Sequence, residues 1–267
     1  MFWRDLENTF LNALEGIFSQ KKLLTAFSAL SLSGLVFIFC KALSLNASSW
    51  LKLSLLFFPV LLSTVFFLIS GILLVQMYGQ KGAFSTVVGP SIDIAIKTTP
   101  LSFLPLLAYG CLWIPLGLFF LLKEIPYIGP FFNIIFAFGP FLLIVCSLLL
   151  CLLNFFLLFF AVPWIAKVSM KNFQEVEFAR RIWASLKGSP FLTIALFIAA
   201  ALPALLVGAL LSFAAILTNV SFSLAGPSFA LALEWFFVML PFTALLSPAV
   251  VFFFQFAAES HQLLRKI

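Results

Sequence analysis

Charge is scarce in this chain. Only 9% of its 267 residues are Asp, Glu, Lys or Arg, against about 25% in soluble domains, while 64% are apolar and the mean hydropathy is +1.21. A water-soluble enzyme, a secreted disulfide scaffold and a disordered chain are excluded, because none of them carries that much apolar surface in water. Groups suited to catalysis are scarcer still. The single histidine, His261, and the two aspartates, Asp5 and Asp93, lie outside the expected spans. Ser-His hydrolysis, His-Glu-x-x-His zinc chemistry and an intramembrane aspartyl dyad therefore lack their parts, and there is no phosphate-cradling G-x-x-x-x-G-K-[ST] loop. Cys40, Cys111, Cys146 and Cys151 show no Cys-x-x-Cys spacing and read as small apolar packing. These absences point away from an enzyme and imply no metal and no cofactor.

What the chain has in quantity is uninterrupted hydrophobicity. Its charged residues leave six long uncharged intervals, 23–40, 53–80, 98–122, 125–166, 188–233 and 235–258. A helix rises about 1.5 Å per residue and the bilayer core is about 30 Å thick, so about 20 apolar residues make one crossing. The intervals predict an all-α polytopic transmembrane bundle over 23–256, with spans near 23–43, 53–75, 101–122, 131–165, 191–217 and 229–256. Barrel strands would alternate apolar and polar residues, and these runs do not. The stretch 131–165 is too long for one upright helix and too short for two. A break is expected at Gly139-Pro140, leaving 131–138 as an interfacial or re-entrant piece, because proline removes a donor and disfavours helix at the residue before it.

Six spans put twelve of the fifteen Lys and Arg residues on the side of the two termini and leave only Lys41, Lys52 and Lys123 opposite. That asymmetry predicts cytoplasmic termini in an inner or plasma membrane. Anionic headgroups then account for the net charge of +6 without nucleic acid. Charges at Arg4, Asp5, Glu7 and Glu15 occupy the place of a signal-peptide core, so the first span is expected to act as the anchor.

Trp3, Leu6, Phe10, Ala13, Leu14 and Ile17 recur at helical spacing, predicting an amphipathic helix over 1–22 that lies on the membrane. A similar stripe, Phe173, Val176, Ala179, Trp183 and Leu186, falls within 172–187. Lys97 and Lys187 are each followed three residues later by proline at the entrance to a span. Together these features predict a threefold repeat of interfacial helix plus transmembrane hairpin, with 257–267 as a cytoplasmic tail.

Two features carry a family likeness. One is the run Ala179, Arg180, Arg181, Ile182, Trp183, Ala184, Ser185, Leu186 and Lys187 leading into the fifth span; the other is a proline late in even-numbered spans, Pro163 and Pro248. On these the chain resembles bacterial six-span membrane proteins of the YciC-like group and is similar to the membrane domain attached to some glycerophosphodiester phosphodiesterases. The second span departs by carrying Gly71 in the proline's place. The resemblance implies a six-span fold and carries over no catalytic residues.

Glu234 is the one acid inside an expected span. Its place one turn from the interface, beside Trp235, favours headgroup contact over ion or proton transfer. The runs Phe155-Phe156, Phe159-Phe160 and Phe252-Phe253-Phe254 read as lipid-facing bulk. Helix breaks at Pro115, Gly139, Pro140, Pro203, Pro241 and Pro248 are what a transport path would use, and they keep open the alternative of a transporter, or the membrane subunit of one, for a small solute. The favoured expectation is a non-catalytic protein that organises lipid or a partner complex, with Arg180, Arg181, Lys187, Trp183 and Trp3 as its contact surface.

Overall fold

A computed structural model describes residues 2–45, 48–79, 84–122, 125, 127, 129–167, 180, 190–217 and 229–266. Among them the chain forms α1 (Phe2–Leu14), α2 (Gln20–Ser44), α3 (Ser49–Gly79), α4 (Phe84–Leu122), α5 (Gly129–Lys167), α6 (Pro190–Leu217) and α7 (Phe229–Lys266). Six of these, α2 to α7, are long and apolar enough to cross a bilayer, which defines an all-α multi-pass membrane bundle. α3 packs on α2, α4, α5 and α7, and α7 packs on α1, α2, α3, α5 and α6, so these two helices form the centre.

Several expectations change at the level of elements. α5 runs unbroken through Gly139-Pro140, with its apolar window at Ala137–Ala166. The expected break is corrected because a proline costs a membrane helix one backbone bond while the ladder on either side persists, and here Gly139 is buried against protein. The stretch ahead of the third span is not a separate interfacial helix, because it forms the first turns of α4. Of the helix expected over 172–187, only Arg180 lies within the described residues, where it is helical and exposed. The tail expected from 257 is not a tail: α7 continues to Lys266, and Ala257, Ala258, Ser260 and Leu263 are buried.

The core is uneven along the membrane normal. Its larger apolar cluster joins Ala13 and Ile17 to the starts of α2 and α6 and to the ends of α3, α5 and α7, all on the side of the termini. A smaller cluster around Phe57, Leu61 and Tyr109 holds α3 to α4 in the other half. α6 buries Thr193, Leu196, Phe197 and Ala200 on one stripe of its first turns, while Leu205, Leu206, Leu210 and Phe213 beyond them are exposed.

The phenylalanine runs are not lipid-facing bulk, a further correction, although Phe155, Phe156 and Phe253 are only half-buried. Phe159, Phe160, Phe252 and Phe254 are buried. Phe159 meets Phe160, Phe197 and Phe253 edge to face with centroids 5.1, 5.9 and 5.8 Å apart, within the range where aromatic pairs gain energy beyond their area. These rings tie α5, α6 and α7 together.

Candidate functional site

The densest polar constellation lies where α1 meets the bundle. Phe10 places its ring against Phe252 and Phe256 of α7, 5.2 and 6.2 Å between centroids, and Ala13 and Ile17 are buried beneath it. α1 ends in a turn through Gly16, whose φ of +71° suits a residue without a Cβ. A helix end leaves carbonyls without intrahelical donors, and here the bundle supplies them. Gln255, fully buried on α7, has its side-chain amide between Ala13 O and Lys22 Nζ; a carbonyl can only accept and an ammonium only donate, which assigns Nε2 to Ala13 O at 2.7 Å as donor and Oε1 to Lys22 Nζ at 2.6 Å as acceptor. Tyr78 Oη, at the end of α3, faces Asn12 O at 3.2 Å and Glu259 Oε1 at 2.9 Å, donating its proton.

Lys22 completes the arrangement. Its ammonium lies 5.2 Å above the Tyr78 ring centroid and next to the carbonyl end of α1, where the helix dipole favours a cation. Two residues before Tyr78 on α3, Gln76 accepts from Ser91 Oγ of α4 and donates to Ala166 O of α5 at 3.5 Å. Gln76, Tyr78, Gln255, Lys22 and Glu259 therefore join α1, α2, α3, α4, α5 and α7 at one end of the bundle. Chemically this is a clasp: the donors and acceptors close on one another and on the end of α1.

Sequence reasoning did not single out Gln255, Tyr78, Lys22 or Glu259. The usable signal was spacing, since Gln255 and Glu259 share a face at i,i+4 and Gln76 and Tyr78 sit at the same end of an antiparallel neighbour. Elsewhere, Ser31 and Thr243 hydroxyls meet at 3.5 Å between α2 and α7. Ser147 Oγ and Asn154 Nδ2, two turns apart on α5, are buried without a hydrogen-bond partner among the described residues.

The expected site residues do not converge. Arg180 is exposed, and Arg181, Trp183 and Lys187 lie outside the described residues. Trp3 is in α1, its side chain outside the described set. Glu234 is exposed on the second turn of α7, whereas Trp235 beside it is buried. Pro115 and Pro241 are on exposed faces, Pro140, Pro203 and Pro248 are half-buried, and each sits inside a continuous helix. Among the described residues no three His, Cys, Asp or Glu side chains gather to hold a metal ion.

Fold and clasp together define a multi-pass α-helical membrane protein with its first helix fastened across one end of the bundle. Comparison with protein-family models, curated proteins and solved structures finds no match to this chain.

Proposed function

We propose that this chain is a non-catalytic protein of an inner or plasma membrane, both termini cytoplasmic, that organises lipid or a partner complex through its basic cytoplasmic face. The observation that carries this reading is the two-sided use of α1 and the turn after it. Ala13 and Ile17 are fixed in the core while Leu11, Leu14 and Phe18 remain exposed at the end of the bundle, the arrangement of a helix that grips protein on one side and the bilayer surface on the other. Arg180, exposed on the same end, and its neighbours Arg181 and Lys187 would supply attraction to anionic headgroups, about 1 kcal/mol per cation at the surface. The likeness to the YciC-like group belongs to the same reading. The outward placement of Pro115 and Pro241 supports it over transport through the proline-bearing helices.

The test is native mass spectrometry of the full chain released with its surrounding membrane. Wild type is expected to retain anionic lipid, and the double variant Arg180→Gln, Arg181→Gln to retain less. Unchanged lipid retention rejects the role of that pair, and co-isolation of an ATPase or solute-binding subunit rejects the organising role in favour of transport.

A further inference from the structure

The loosely packed half of the bundle, away from the termini, holds a groove of about 580 Å³ between α2, α3 and α7, within the size range of ligand sites, roughly 300–1,000 Å³. Lys41 and Lys52 stand at its rim, in the last turn of α2 and the first turn of α3. Phe37, Ile38, Trp235 and Met239 form its apolar wall. The floor depends on Gly34, where a Cβ would overlap the Met239 thioether lying across the α2 backbone. From Lys41 to Gly34 is seven residues, about 10 Å along the helix, so the groove leads from headgroup depth into the acyl region.

Two of the three lysines on this sparsely charged side of the chain converge on one groove. Neither forms an ion pair among the described residues. Lys41 complements the dipole at the end of α2, but Lys52 opposes it at the start of α3, so local helix stability does not explain the pair. We infer that this groove binds one anionic glycerophospholipid of the leaflet opposite the termini, its phosphate on Lys41 and Lys52 and an acyl chain against Trp235 and Met239. A tail gains little by leaving hydrocarbon for an apolar wall, so the headgroup selects the lipid. Each lysine contributes about fivefold and the two together about thirtyfold preference for an anionic over a zwitterionic headgroup. This site is on the opposite face from Arg180 and does not rest on the role proposed for that face.

The full chain in phosphatidylcholine vesicles containing trace photoactivatable phosphatidylglycerol tests the site, with crosslinked residues mapped by peptide mass spectrometry. Labelling is expected along 34–56 and 235–239, reduced more than tenfold in Lys41→Gln, Lys52→Gln and retained in Lys41→Arg, Lys52→Arg. Ile38→Trp, which fills the groove beneath unaltered lysines, is expected to lose labelling too and serves if the glutamine variant does not fold. Equal labelling by photoactivatable phosphatidylcholine, or wild-type labelling in the glutamine or tryptophan variant, overturns the inference. Displacement of the lipid by millimolar inorganic phosphate overturns it in favour of a soluble anion site.

Discussion

Tyr78 has one hydroxyl proton and two acceptors, Asn12 O and Glu259 Oε1, so it serves the end of α1 and the last turns of α7 at once. Removing the hydroxyl takes the one donor from the half-buried Glu259 contact and ends the link to the exposed Asn12 O. Leaving buried polar groups unpaired costs about 1–3 kcal/mol, more than the roughly 0.6 kcal/mol typical of a hydroxyl bond between membrane helices such as Ser31 with Thr243. Tyr78→Phe is therefore expected to free α1 while the six long helices stay folded, with faster amide hydrogen exchange over 6–17 and unchanged exchange over 249–258. Ser31→Ala serves as comparison and should leave both segments at wild-type rates. Gln255 was legible as a polar residue in an apolar run; its partner Ala13 O was not, because a backbone carbonyl has no sequence signature.

At the scale of elements, close approach of α3 and α7 turns on Gly71. A Cβ there would sit 2.5 Å from the Phe254 ring, and Phe254 is itself buried. The sequence likeness makes Gly71 a departure from a proline pattern, whereas the packing gives it a reason of its own. Gly71→Ala should cost about 1–3 kcal/mol through overpacking, read as a lowered Tm in detergent. Gly110→Ala, where nothing lies within 4 Å of the added Cβ, should be neutral or slightly stabilising because alanine favours helix by about 1 kcal/mol. Element ends behaved less predictably than element existence. The tail after residue 256 looked separate because of Glu259, His261, Arg265 and Lys266, yet Ala257, Ala258 and Leu263 carry the buried face of α7 past those charges.

On the scale of the whole molecule, the bundle is knit by its larger core and by the clasp on the side of the termini, and is more open on the other. An even number of crossings places Lys97 near the termini and Lys52 at the far end. With the native cysteines replaced, Lys97→Cys and Lys52→Cys should react with a membrane-impermeant maleimide from opposite sides of sealed vesicles. Labelling of both from one side would refute the six-span arrangement.

The sequence alone determined the solvent and the class. Six long apolar intervals have no folded alternative to helices in a bilayer, where each backbone group must find its partner within the segment. It also determined which face of α1 is apolar. It could not determine what covers an apolar face, because lipid and protein interior are equally apolar and composition does not separate them. Only the tertiary structure therefore decided that Phe10 and Ala13 meet α7 and that Ile17 is buried in the core, that Phe159 and Phe252 point inward while Leu205 and Phe213 do not, and that Pro140 lies within an unbroken helix. The same limit applies to Lys41 and Lys52. Their sidedness follows from counting charges, but their meeting at one groove follows from how α2, α3 and α7 pack.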